Sequence, residues 1–217
     1  MIRVVLADDQ ALVREGLRMI VEAEPDMSVV GEAETGGAAL ELTARQKPDL
    51  VLMDIRMPGI DGIEATRRIV ASGSNAKVLV LTTFDLDEYV YRAMRAGASG
   101  FMLKDVGRHQ LVAGIRTVLA GESLLAPTIT RRLIEDFCRG PEPGGQAVSG
   151  ELSERELDVV RLVARGMSNA EIAGQLFLAE ATVKSHIARI LAKLDLRDRL
   201  QVAVFAYESG WLRPGRE

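Results

Sequence analysis

Five short apolar runs, each followed by a longer amphipathic stretch, constrain the first 120 or so residues more than any other feature. The runs are Val4–Ala7, Ser28–Val30, Leu50–Met53, Val78–Leu81 and Gly100–Leu103. They are rich in Val, Leu and Ile and mostly unalternating, the pattern of strands covered on both faces. The stretches that follow them are Ala11–Glu24, Gly37–Gln46, Ile60–Ser72, Asp87–Ala96 and Gly107–Ala120, all candidate helices. Strand alternating with helix five times predicts an α/β domain, a doubly wound five-stranded parallel sheet with helices on both faces.

The chain changes character after residue 121. Ile129–Phe137 is a short amphipathic piece, and Pro141-Glu142-Pro143-Gly144-Gly145-Gln146 reads as a flexible linker. From Leu152 onward the pattern is all-helical. Ser153-Glu154-Arg155-Glu156 and Ser168-Asn169-Ala170-Glu171 both fit a capping box, in which Ser caps a helix and Glu three residues on reaches back. Helices are expected near 153–165, 168–176, 180–194 and 198–209. The organisation predicted is an α/β domain over 1–121, a short helix and linker over 122–150, and a small all-α domain over 151–217. A chain of 217 residues accommodates two domains.

Hydrophobic residues at 47% and charged residues at 27% exclude a disordered chain. No apolar run reaches the roughly 18 residues of a membrane span. The N-terminal apolar stretch is too short for a signal peptide and runs into Asp8-Asp9, so a cytoplasmic location is expected. Cys138 stands alone, which leaves no disulfide framework and no cysteine metal cluster. With only His109 and His186, a histidine metal site is not expected either.

Ligands of doubly wound sheets bind beyond the C-terminal ends of the strands. Asp8 and Asp9 follow the first strand, Asp54 the third, Thr82 the fourth and Lys104 the fifth. The topology brings them together although they are far apart in sequence. Three carboxylates in one place repel one another unless a hard cation neutralises them, and Mg²⁺ suits oxygen ligands. Asp54 can then attack a phosphoryl group, with Mg²⁺ and Lys104 offsetting the developing charge. Taken singly, each residue has a plain structural role: helix entry, turn, strand or core.

As a set they resemble the receiver domain of two-component signalling. The likeness rests on Asp8-Asp9, Met53-Asp54-Ile55-Arg56-Met57-Pro58-Gly59, Thr82-Thr83 and Gly100-Phe101-Met102-Leu103-Lys104-Asp105, and it spans residues 2–120. The resemblance implies that Asp54 accepts phosphate from a sensor histidine kinase. It implies that Asp8, Asp9 and Asp54 hold Mg²⁺, with the Arg56 carbonyl as a further ligand. Thr82 would contact the phosphate, and Phe101 would be the switch aromatic that turns inward as Thr82 moves. Phe101 lacks the hydroxyl common there, and Asp105 stands where many receivers carry Pro.

The net charge of −4 belongs to residues 1–150; residues 151–217 are neutral. Within them, 182–199 carries a local +3 from Lys184, Arg189, Lys193, Arg197 and Arg199 against Asp195 and Asp198. On charge alone this is a solvated helix face. The segment Leu152–Pro214, however, resembles the LuxR-type helix-turn-helix of NarL/FixJ-class response regulators. The likeness rests on Leu152–Glu156, Gly166–Ala173, Thr182-Val183-Lys184-Ser185-His186, Lys193-Leu194 and Arg199–Ala203. The resemblance implies a third helix in the DNA major groove. Lys184, Ser185 and Ala188 would face bases; Thr182 and Arg189 would meet phosphates, with Lys193 adding to the basic face. Val183, Ile187, Ile190 and Leu191 recur at helical spacing as core, and His186 is read as structural or phosphate-contacting. Two departures stand out. Ala179 replaces the Ser expected as N-cap, and Asp195 replaces the Gly usual at the helix end.

The function expected is a phosphorylation-regulated transcription factor, not an enzyme, that dimerises when phosphorylated and binds promoter DNA. RNA polymerase is a further candidate partner, and the helices Asp87–Ala96 and Gly107–Ala120 are candidate dimer faces. Three other readings stand beside it: a receiver used only as a ligand or dimer module, a phosphatase, and an acyl-ligand sensor. A phosphatase needs an acid two residues past its nucleophile, where Arg56 stands; an acyl-ligand sensor would not carry this acidic N-terminal half.

Overall fold

The computed structural model describes residues 1–82, 87–121 and 152–209. The amphipathic piece Ile129–Phe137, the linker, Thr83 and Cys138 lie outside them. Packing divides the chain into two units, Met1–Leu124 and Leu125–Glu217.

The first unit alternates as the hydropathy pattern demands: β1 (Ile2–Ala7), α1 (Ala11–Glu22), β2 (Met27–Ala33), α2 (Gly36–Gln46), β3 (Leu50–Asp54), α3 (Gly62–Ala71), β4 (Lys77–Thr82), α4 (Asp87–Arg95), β5 (Gly100–Leu103) and α5 (Arg108–Leu119). All four strand pairings are parallel, in the order β2-β1-β3-β4-β5. Leu50–Asp54 are all buried, because β3 lies mid-sheet and is covered on both faces. One layer of the core joins Leu6, Leu50, Leu52, Leu79 and Leu81 to Leu111 and Ile115 of α5. Each such side chain contributes about 1.5–3 kcal/mol on leaving water.

Several element bounds differ from the sequence expectation, β1 beginning two residues early at Ile2 and three others for identifiable reasons. β2 extends well beyond Ser28–Val30, because an edge strand carries half-exposed residues such as Glu32 that break the apolar run. α1 ends at Glu22, two residues early, ahead of Pro25. α3 starts at Gly62, since the Asp61 carboxylate accepts from the Glu64 N–H (2.7 Å) and sets the N-cap there.

The second unit holds α6 (Glu154–Ala164), α7 (Asn169–Leu176), α8 (Glu180–Lys193) and α9 (Arg199–Glu208). Both predicted capping boxes form: Ser153 with Glu156 and Ser168 with Glu171. The core packs Val159, Val160 and Val163 of α6 against Ile172 of α7, Val183, Ile187 and Ile190 of α8 and Val202 and Ala206 of α9. Among the described residues, no helix is long and apolar enough to cross a membrane.

Candidate functional site

The sheet delivers the acidic cluster to one place. Asp8 follows β1, Asp54 ends β3, and carboxylate oxygens of Asp8, Asp9 and Asp54 all lie within 4.8 Å of one another. Asp8 is only 1% exposed and Asp54 5%, whereas Asp9 faces solvent. Lys104 follows β5 and brings its ammonium to both buried acids, 2.6 Å from Asp8 Oδ2 and 3.0 Å from Asp54 Oδ2. Its backbone N–H donates to the Thr82 carbonyl (2.7 Å), tying the ends of β4 and β5.

The charges do not balance. Burial pushes the Asp54 carboxyl up from its ordinary range and the Asp8 charge pushes it further, while Lys104 pulls it down. Asp8 Oδ1 accepts from the Gln10 N–H (2.9 Å). Its buried Oδ2 has the Lys104 charge nearby but receives no aligned hydrogen bond. An oxygen-lined pocket in which three carboxylates gather around one ammonium fits a hard divalent cation such as Mg²⁺.

Thr82 is buried at the end of β4, and Phe101, the ring expected to turn inward, already lies buried in β5 opposite Val80. Arg56 lies beside the pocket with its guanidinium over the Tyr89 ring, 5.6 Å from the centroid.

Two residues of the site escaped sequence reasoning. Arg14 is buried on α1; it donates to the Asp8 carbonyl (2.7 Å) and pairs with Glu34 (2.7 Å) and Glu32 (3.5 Å), fixing the acidic loop. One Arg on an amphipathic helix gives no cue to this. Gly62 donates its N–H to the Ile55 carbonyl (2.8 Å), and a Cβ there would stand 1.8 Å from the Asp54 carbonyl oxygen. Its place beside the N-cap Asp61 was the available signal.

In the second unit, α8 presents Thr182, Lys184, Ser185, Ala188 and Arg189 on its exposed side and buries Val183, Ile187 and Ile190. Leu191 is half-buried against the same core, and His186 is half-buried with no hydrogen-bond partner at Nδ1. Lys184 lies 3.7 Å from Glu180, and Ser185 Oγ donates to the Ala181 carbonyl (3.0 Å). Lys193 is placed differently from its fellows. Its ammonium sits 2.7 Å from the buried Glu156 carboxylate, which Lys193 and the Ser153 N–H together hold down at a pKa of about 2. It therefore clamps α8 to the capping box of α6. Ala179 is the N-cap of α8 with no side-chain bond, and Asp195 takes the left-handed position past its end, at φ 52°.

A family described as "Response regulator receiver domain" matches residues 4–116, and one described as "Bacterial regulatory proteins, luxR family" matches residues 150–206. The transcriptional regulatory protein LiaR of Bacillus subtilis is 41% identical over 96% of this chain and 98% of its own. The oxygen regulatory protein NreC of Staphylococcus carnosus is 36% identical over 94% and 96%. Among solved structures, the response regulator ChrA of a heme-sensing two-component system aligns over 97% of this chain and 98% of its own, at 36% identity and a TM-score of 0.53.

Proposed function

We propose, from the premise that this chain belongs to the response regulators that join a receiver domain to a LuxR-type DNA-binding domain, that Asp54 is the phosphoacceptor and that its phosphorylation controls DNA binding through α8. The observation that carries this reading is Asp54 itself, a buried carboxylate that shares one ammonium with Asp8 at the end of the central strand.

The donor is the phosphohistidine of a sensor histidine kinase. An Asp54 carboxylate oxygen forms the new bond to phosphorus. The phosphorus–nitrogen bond breaks, and the departing imidazole keeps its electron pair and takes a proton. Asp8, Asp9 and Asp54, with the Arg56 carbonyl, would hold Mg²⁺, which would supply neutralisation of the phosphoryl oxygens. Lys104 pairs with the transferred group, its ammonium already 3.0 Å from the accepting carboxylate. Thr82 donates to a phosphoryl oxygen and moves toward it; the buried Phe101 ring repacks beside it. Water is kept from the acyl phosphate by the burial of Asp8, Asp54 and Thr82.

The regulator then pairs with a second copy and reads two half-sites on promoter DNA, with α8 in each major groove. Lys184, Ser185 and Ala188 meet base edges, and Thr182 and Arg189 meet phosphates. The domain boundaries fall at 1–121 and 151–217. The test is intact mass with Mg²⁺ and a small phosphodonor, with DNA binding followed in parallel. Wild type gains one phosphoryl group and binds DNA more tightly, and Asp54→Ala does neither. Phosphorylation of Asp54→Ala would refute the assignment.

A further inference from the structure

Phe177 has no part in the phosphoryl transfer or in the base and phosphate contacts proposed for α8. It follows α7 and is 95% exposed, alone in that respect among the large apolar residues described in the unit. Its backbone is left-handed, φ 55°, the conformation in which a Cβ crowds the following carbonyl oxygen. The other described non-glycine residues at positive φ are Lys47 and Asp195, both polar.

The turn requires that conformation of whichever residue stands there. The Phe177 N–H turns back to the Ala173 and Gly174 carbonyls and the Leu178 N–H donates to Ala173 (2.9 Å), closing the helix end so that Leu178 packs on the core. Gly or Asn fits such a position best. A Phe there strains the turn and buries none of its ring. Single exposed apolar residues are ordinary; an exposed one held in a strained conformation points to function.

The surroundings name the occupant. Phe177 lies three residues before α8; past the half-buried Leu178, Ala179, Glu180, Ala181 and Thr182 are exposed and lead into the face that carries Lys184 (paired with Glu180), Ser185 and Arg189. A basic face selects a polyanion, and a duplex seated on it extends toward the turn. We infer that Phe177 is a DNA-contacting residue, its ring packing on the apolar deoxyribose edge or a thymine methyl beside the groove that α8 enters. The inference rests on α8 being the DNA-reading helix.

Such a contact carries no charge, so its loss lowers affinity without altering the number of counterions released. The experiment measures binding of the full phosphorylated chain to a random-sequence 40-base-pair duplex across a salt series, for wild type, Phe177→Gly and Arg189→Gln. Melting and sedimentation without DNA are measured alongside. Phe177→Gly is expected to bind about tenfold more weakly, the loss of one buried aromatic contact. Its salt slope and oligomeric state stay unchanged and its melting temperature is no lower. Arg189→Gln reduces the slope by about one. Undiminished binding by Phe177→Gly, with Arg189→Gln weakened, overturns the Phe177 contact and leaves α8 standing. A changed oligomeric state overturns it in favour of a second copy on the ring. Absence of duplex binding by wild type overturns both.

Discussion

Asp54 binds its proton more tightly in the folded chain than in the unfolded one, because burial and Asp8 outweigh Lys104. A group whose folded pKa is raised destabilises the fold once it is ionised. The penalty is absent below its unfolded pKa and grows as pH rises to its folded value. Asp54→Asn is therefore expected to raise the melting temperature of the first unit at pH 7 without Mg²⁺, by a margin that shrinks toward pH 4. A lower melting temperature at pH 7 would contradict the charge imbalance. Gly62 sits against the backbone of Asp54. Gly62→Ala places a methyl group 1.8 Å from the Asp54 carbonyl oxygen, and the chain must move. A cost of about 3 kcal/mol or more is expected, read by urea unfolding, with phosphorylation falling as Asp54 is displaced. The gathering of Asp8, Asp9, Asp54 and Lys104, and the place of Thr82 at a strand end, were legible in the sequence because strand ends can be counted. Arg14 was not, since its partners on the β1 and β2 loops are defined only by the folded sheet.

At the scale of elements, α8 is poorly started. Ala179 leaves its first N–H groups without a side-chain acceptor, unlike α6 and α7, which Ser153 and Ser168 cap. Ala179→Ser is expected to stabilise the second unit by about 0.5–2 kcal/mol, seen as a higher melting temperature; a drop would show that the hydroxyl finds no N–H. The helices of this unit were legible to within a residue or two, because capping boxes and turn residues are local signals. The core strands of the sheet were legible for a different reason: burial on both faces leaves little but Val, Leu and Ile. β2 was truncated in the sequence reading because its length depends on pairing with β1 rather than on its own composition. The link from Lys193 to Glu156 was likewise invisible, since the two residues stand 37 positions apart and charge patterning ranked Lys193 with the DNA-facing cations.

Among the described residues, each unit has its own buried apolar core, one around the sheet and one at the junction of α6, α7, α8 and α9. Two cores give two cooperative units. Thermal unfolding of the full chain is expected to show two transitions. Mg²⁺ raises only the one belonging to the first unit, since a ligand stabilises the unit that binds it, and Asp8→Asn abolishes that rise. Equal movement of both transitions would contradict two independent units.

The strand order also decides which parts of the pocket can move. Asp54 ends β3, which is held by β1 on one side and β4 on the other. Phe101 and Lys104 ride on and just after β5, which has β4 as its one neighbour. Shifting β3 disturbs two hydrogen-bonded ladders, and shifting β5 disturbs one. Asp54 thus stands on a strand bound like the spine of a book, and Phe101 and Lys104 on its outer leaf, with Thr82 on the strand between them.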